Sequence, residues 1–504
     1  MFKNIRTLLL ALIPAVFSIG TTCAEEIPVS SATAECLECH GIIHPGIVED
    51  WRTSRHAMIT PSKALAAPEP LLRVSGRNIP EDLRTTAVGC AECHTRNATS
   101  HRDTFEHNGY DVHVVVSPKD CQVCHTTEEA QYAKNIMSHA WKNLAENKVY
   151  QDLQRAVIGT PVLESGKIDF NPASEQVQAT ACYYCHGTRL EVTGTELRDS
   201  DLGEMEFPVI RGWPNQGVGR INPDDSRGSC SACHTRHSFS IEIARKPETC
   251  KECHEGPDVP AYKVYRASKH GNIYSSISAK WDFTKVPWTI GEDFTAPTCA
   301  ACHISRLDNT DGDIVAQRTH QMSDRLSWRI FGLVYAHPQP ANPDTTLIKN
   351  REGFQLPTNL DGTMAASHLI DRDIQKERRD KMTAICLNCH GSSWVNGHFQ
   401  RYEHVIQQSN ASVQTATQLM DQIWRKGLAR GPYHKGNLFD EAIERKWVDI
   451  WLFYANSVRF TSAMGGGGDY AVFANGNYSL SQQLSEMVEW YAGRTLAMPT
   501  AKIE

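Results

Sequence analysis

"CSACHTRHSFSIEIARKPETCKECHEGPD", residues 230–258, holds the pattern C-x-x-C-H twice, at Cys230/Cys233/His234 and at Cys250/Cys253/His254. On a helical turn, residues three and four apart share a face, so two thiols and one imidazole are presented together to a single partner. That set fits c-type haem attachment: the thiols add to the two vinyl groups and the adjoining imidazole ligates the iron. A lone copy would equally suit a redox dithiol or half of a zinc site. The pattern is not alone. It recurs at Cys36/Cys39/His40, Cys90/Cys93/His94, Cys121/Cys124/His125, Cys182/Cys185/His186, Cys299/Cys302/His303 and Cys386/Cys389/His390. Eight copies, every one with its histidine, absorb 16 of the 17 cysteines and leave only Cys23. The sequence therefore predicts eight c-type haems and sets the zinc and dithiol readings aside.

Cys23 belongs to a different signal. "MFKNIRTLLLALIPAVFSIGTTCAEE" opens with Lys3 and Arg6, runs apolar from Leu8 to Ile19, and exits through small residues. This reads as a secretory signal cut after about Ala24, which removes Cys23; Gly20 and Thr22 disfavour the alternative of a lipid-modified Cys23. No later segment offers the ~18 apolar residues of a membrane span. The expected product is an exported, soluble, periplasmic protein. Its formal charge of −7 over 504 residues, without a long Lys/Arg cluster, argues against a nucleic-acid partner. The mildly acidic surface is compatible with docking a small basic redox protein.

Haems replace much of an ordinary core, so the expected fold is mainly α, a multihaem cytochrome c fold ending in a long helical bundle. The macrocycles are expected to occupy much of the interior, with side chains packed around them. The division read from the chain is a signal peptide at 1–24, an octahaem domain at 25–400 and a C-terminal helical region at 401–504. Gly/Pro/Asp-rich connectors at 211–228 and 336–346 read as ordered loops over cofactors or as linkers. Past residue 400 the apolar period becomes helical: Ile443, Trp447, Ile450, Trp451, Tyr454 and Val458 form one stripe, and Leu480, Leu484, Met487, Val488 and Tyr491 another.

Of 22 histidines, eight are proximal ligands and 14 remain. An electron-transfer haem takes a second strong ligand, whereas a catalytic haem keeps that side for substrate. The expected distal ligands are His56, His139, His270 and His320, each shortly after a small residue in a helix-like stretch, with His237 and His113. His44, His398 and His404 are the candidates for a seventh. The fourth motif, "CYYCH", differs only in its paired tyrosines, Tyr183 and Tyr184.

In this order, with the close pair at 230–258, then "SKHG" (268–271), "APTCAACH" (296–303) and the helical C-terminus, the chain resembles the hydroxylamine oxidoreductase family of octahaem cytochromes, kin to hydrazine dehydrogenase and the pentahaem nitrite reductases. The resemblance spans nearly the whole mature chain. It implies that the fourth haem, on His186, is five-coordinate and catalytic, that the other seven are bis-histidine, and that the protein is a homotrimer. It implies that Tyr470, in "GGGGDY", crosslinks to a neighbour's catalytic haem to give the P-460 cofactor, the glycines letting the backbone pass close to the macrocycle. It places Asp258 as general base and Tyr335 near the open face. Where the family has a histidine after that aspartate, this chain has Val259. The implied activity is oxidation of hydroxylamine to nitric oxide or nitrite, with electrons leaving to a small cytochrome c or a quinone-linked cytochrome. The alternatives are hydrazine as substrate, a nitrite or hydroxylamine reductase of the same family, and an electron conduit without catalysis.

Overall fold

The computed structural model describes residues 27–200 and 203–496, so Cys23 and the expected signal lie outside the described residues. The chain is mostly helical, and its two parts are built differently. Up to residue 371 most helices are short. Cys90–His94, Cys182–His186 and Cys299–His303 are single turns that coincide with a haem motif. Where a motif ends its helix, the histidine N–H still bonds the first cysteine's carbonyl: 2.9 Å at His125, His254 and His390, and 3.0 Å at His234. Each thus keeps one α-turn, which is what puts its thiols and imidazole on one side.

Most strands form short antiparallel pairs; the exceptions are one long hairpin, Glu191–Ser200 with Gly203–Arg211, and a small three-stranded sheet in which Trp288–Thr289 runs parallel to Leu307–Asp308. Its alternating "EVTGTELR" carries β-branched residues on a half-exposed ribbon, a period-two pattern outweighed in the sequence by the surrounding haem motifs.

From Arg372 the helices lengthen. Arg372–Leu387 leads into Ser392–Arg425, 34 residues that run unbroken through position 400. Against it pack Ala442–Val448, a π-helical turn Asp449–Tyr454, Ala455–Met464 and Asn477–Leu496. Ile443, Trp447, Ile450, Trp451 and Val458 are buried as the stripe requires, beside Val413, Met420, Ile423 and Trp424. The π-turn adds a residue to the helical register there, which keeps both Ile450 and Trp451 facing inward. In the last helix Leu480 and Met487 are buried, but Val488 is 52% exposed: the stripe is narrower than its sequence suggests.

Val149 and Ala156, from the helix Lys148–Ile158, join the bundle core. Tyr335 is there too, with its hydroxyl donating to the Leu360 carbonyl at 2.8 Å. Among the described residues no hydrogen bond or ring contact links Tyr335 to His186 or Asp258; its hydroxyl is spent on the core. No helix of the described residues is long and apolar enough to cross a membrane.

Candidate functional site

All sixteen described cysteines are unbridged. The thiols of different motifs nevertheless lean on one another: Cys36 on Cys90, Cys121 on Cys230, Cys185 on Cys253 and Cys250 on Cys299. The motifs therefore adjoin in space in an order that differs from chain order, the third meeting the fifth and the fourth meeting the sixth.

Cys39 and Cys389, the second thiols of the first and last motifs, are exposed, whereas the other fourteen are partly buried.

The histidines test whether this frame fits haem. Two imidazoles bound to one iron from opposite sides need about 2.0 Å per metal–nitrogen bond and about 1.2 Å from each nitrogen to its ring centre, about 6.4 Å between centres. His56 and His125 stand 6.3 Å apart, His234 and His320 6.4 Å, His270 and His390 6.0 Å, and His40 and His107 6.1 Å. Burial pushes His56, His234 and His320 down to about 4, so all three are neutral near pH 7, as ligands must be. The frame fits c-type haems held from both sides.

His237 lies beside His94; burial first, then that neighbour, pushes it down to about 4. His113 also stands 6.1 Å from His94, ring centre to ring centre, but on the Nδ1 side of that ring. His94 turns its Nδ1 toward the His113 carbonyl, 2.8 Å away, so His113 sits beyond the side of the ring that does not ligate. The His113 ring meets the Arg96 carbonyl at 2.8 Å and stacks on His101. The ring at this spacing that the sequence reading does not name is His107. Its signal is "HNGY": Asn108 and Gly109, both at positive φ, make the tight turn that returns the strand Thr104–His107 along Tyr110–His113. His44 stacks on His40 from the same helical end, with their Nδ1 atoms 2.9 Å apart, and His398 reaches His390 only through Trp394. His404 is exposed. His139 is buried, with Nε2 3.2 Å from the Ala133 carbonyl and Nδ1 unpartnered.

The fourth motif is clasped. Gly187 adopts φ +89°, and a Cβ there would lie 2.3 Å from the Arg220 nitrogen. One on Gly217 would lie 2.3 Å from the Gly187 nitrogen, and one on Gly219 2.5 Å from the Trp141 nitrogen. The connector 211–228 is thus pressed backbone-to-backbone onto the motif, and only glycine permits it. Asn215 locks the contact, donating to the Tyr183 carbonyl at 3.0 Å and accepting from the Gly217 N–H at 2.9 Å.

His186 turns Nδ1 toward the Ala140 carbonyl at 3.4 Å, leaving Nε2 for iron. Burial lowers its basicity, the Asp258 carboxylate opposes that, and the Arg329 guanidinium reinforces it. Asp258 also acts on Cys182, Cys185 and His254. It is held from the bundle: Asn456 donates to its carbonyl at 2.8 Å, Arg459 donates to Asn456 at 3.1 Å, and Asn410 accepts from Arg459 at 2.7 Å. Arg459 is fully buried, and that burial pushes it down to about 9. The Nε of Arg329 has no hydrogen-bond partner. Among the described residues, no second histidine ring meets that of His186, His254 or His303.

Val259 turns into an apolar cluster of Val264, Ile330, Ala336, Ile406 and Phe460, and Tyr470 packs on the same cluster, half-buried. The glycines before Tyr470 make a close approach, but to the chain's own backbone. A Cβ on Gly466 would lie 2.8 Å from the Ser268 Cα, and Gly467 adopts φ +76° against Val264. Ser268 caps the helix Lys269–Ile277 that carries His270.

A family pattern described as "Seven times multi-haem cytochrome CxxCH" matches residues 221–329. A solved structure titled "Hypothetical multiheme protein" is 38% identical, with a TM-score of 0.87 over 94% of this chain and 98% of its own. The chain belongs to the multihaem c-type cytochromes. This cytochrome also resembles a protein named "Probable nitrite reductase-hydroxylamine oxidoreductase fusion protein" from Kuenenia stuttgartiensis, 23% identical over 80% of this chain. The cytochrome spans only 39% of that relative's length. Its fold is shared with the Kuenenia stuttgartiensis "reducing HAO-like protein complex", at a TM-score of 0.61 and 18% identity over 92% of this chain and 86% of that one.

Proposed function

We propose that this cytochrome is an exported, periplasmic, homotrimeric octahaem oxidoreductase that exchanges electrons with hydroxylamine at the haem held by Cys182, Cys185 and His186. The observation that carries the reading is a combination found at no other motif: no facing imidazole, and an anionic Asp258 and a cationic Arg329 acting on one histidine. When bound, this haem supplies an iron coordination site for the substrate nitrogen and a route for electrons into the other haems. His56, His107, His237, His270 and His320 hold the haems of His125, His40, His94, His390 and His234 from their second sides. His139 is assigned to one of the haems on His254 and His303.

Asp258 accepts protons that the substrate's N–H and O–H groups give up as its electrons leave. Asn456 fixes its backbone, so the base is presented by the rigid bundle rather than by a free loop. Residues 211–228 cover the motif and keep bulk water from it.

In the oxidative direction the product is nitric oxide or nitrite, and Tyr470 is the residue that would hold a neighbouring subunit's haem in its P-460 form. Reduction of nitrite or hydroxylamine is a second reading, favoured by three observations. Val259 lies in the apolar cluster where a second acid–base group is expected, Tyr470 packs on its own chain, and Arg329 offers an unpartnered Nε to an anion such as nitrite. The names of the two Kuenenia stuttgartiensis relatives support either direction.

One preparation separates them: the holoprotein denatured in SDS, alongside the spectrum of its ferrous state. A covalent trimer with the P-460 band, both abolished by Tyr470→Phe with haem content retained, supports oxidation. A chain that runs as a monomer, shows only c-type bands and consumes nitrite under a reductant supports the second reading. Retention of full turnover in both directions by Asp258→Asn overturns the assignment of the site itself.

A further inference from the structure

A small cavity lies near the fourth motif, and no residue of that motif lines it. The strand pair Trp328–Arg329 and His337–Pro338 sets Arg329 directly opposite His337. Directly opposed residues of an antiparallel pair share a face, with Cβ atoms about 5 Å apart, so the two side chains reach the same space. Asn147 and Tyr150, at the start of the helix Lys148–Ile158, line that space too, as do Thr345 and Gln355. It has room for a water or an ion of a few atoms rather than for an organic ligand. Its place beside the motif follows from its walls: the Arg329 guanidinium acts on His186, and the helix Lys148–Ile158 follows Ala140–Ala145, whose first carbonyl faces the His186 Nδ1.

The polar groups of the cavity are of two kinds. The amides are spent: Asn147 accepts from the Val149 N–H at 2.9 Å and donates to the Gln355 carbonyl at 3.0 Å, while Gln355 accepts from the Lys148 N–H at 2.8 Å and donates to the Thr346 carbonyl at 2.9 Å. The donors are not spent. Among the described residues the Arg329 side chain has no hydrogen-bond or ion-pair partner; its Nε is shut off from solvent, and its guanidinium lies 5.3 Å over the Phe331 ring. The hydroxyls of Tyr150 and Thr345 likewise bond nothing among the described residues. No carboxylate lines the cavity, and Asp344, next to Thr345, is held by Lys142 at 2.6 Å. His337 is buried with its Nδ1 2.6 Å from the Pro338 carbonyl; burial first, then the guanidinium of Arg329, with that of Arg459 behind it, pushes the ring down to about 3. The imidazole is therefore neutral near pH 7, and the charge facing the cavity is that of Arg329. A guanidinium carries five N–H donors and no acceptor, in a planar fork that matches two oxygens of a planar anion. Withdrawing that charge from water without a counter-ion is costly.

We propose that this cavity binds one small monovalent oxyanion, held by Arg329 with the Tyr150 and Thr345 hydroxyls, at a site apart from the iron of the fourth motif. That the anion is nitrite rests on the reductive reading given above; the site itself does not. Nitrite has the required size, a single charge and two oxygens in one plane. Held there it stands beside the motif that consumes or releases it, and an uncompensated positive charge in a low-dielectric wall gathers such an anion from dilute solution. The competing occupant is a haem propionate.

Crystals of the holoprotein soaked in bromide, a monovalent anion with an anomalous signal, decide between them. The expected result is an anomalous peak within hydrogen-bond reach of Arg329, displaced when nitrite is added to the soak and absent in Arg329→Gln. In solution, nitrite is titrated into the ferric holoprotein by calorimetry while the haem spectrum is followed, so that nitrite on iron is counted separately. Arg329→Gln should weaken the spectrally silent binding by at least about tenfold, and Tyr150→Phe by less, with haem content kept. Propionate density on Arg329, a cavity without bromide, or an affinity unchanged in both variants overturns the proposal. Neither measurement needs turnover. Full turnover by Asp258→Asn with bromide still bound overturns the fourth-motif assignment and leaves this site standing, whereas an empty cavity with Asp258→Asn inactive overturns this site alone.

Discussion

The haem-bearing part and the C-terminal bundle solve the burial problem in opposite ways. Before residue 372 most helices are of one or two turns, too short to carry a continuous apolar stripe, and short helices are marginal by themselves. Those that hold a haem motif are organised by attachment, each aiming two thiols and an imidazole. After residue 391 no haem motif occurs, and the core is indole and aliphatic, with Trp424, Trp447 and Trp451 each 1% exposed or less. The difference teaches where stability and function are divided. The cofactors make the first part, while the second holds itself together and lends rigidity back through the Asn410, Arg459 and Asn456 chain that ends on the Asp258 carbonyl.

Withholding haem should break the comparison most completely. The chain produced without haem attachment is expected to be largely unfolded to residue 390, with circular-dichroism helicity confined to the C-terminal quarter; protease-resistant structure across the short helices would contradict this. Trp451→Ala tests the other half. It should cost about 3–5 kcal/mol in chemical unfolding of the bundle, as large aromatic deletions in cores do, with the visible haem spectrum unchanged before the transition.

A pH effect comes next. Burial, beneath the indole of Trp424, pushes the Glu444 carboxyl up to about 7. The folded bundle therefore binds a proton that the unfolded chain releases at the ordinary carboxylate value, so stability declines as pH rises from about 4.5 to 7. Glu444→Gln should flatten that slope in denaturant midpoints taken across the window. The smallest effect is local: His107→Ala should convert a single haem from low to high spin in electron paramagnetic resonance, whereas His113→Ala should leave every haem low-spin that was so before.

The eight attachment sites and the bundle's inward stripe are legible because each is a strict local period, three or four residues long, repeated with little interruption. Trp447 and Trp451 could be placed by counting. His107 could not be placed by counting: the ring it approaches, His40, stands 6.1 Å away in space but far back in the chain. His113 misled for a related reason. Being near a haem motif is readable, but which way the ring turns depends on His101, Asp103 and Asp120 packing beneath it. Tyr335 resembles a site residue in sequence and lies in the bundle core, where its hydroxyl is spent on Leu360. The glycines at 465–468 announce a close approach, and only the fold names the neighbour, Ser268.

The clasp on the fourth motif carries a consequence for how the molecule is made. Gly187, Gly217 and Gly219 bring residues 211–228 against the backbone of the Cys182–His186 turn, while the thiols of Cys182 and Cys185 stay partly exposed. Synthesis runs from the amino end, so the turn emerges before the loop that braces it. A bulkier residue at Gly217 or Gly219 would push that brace away and leave the turn, and the histidine it carries, without its support.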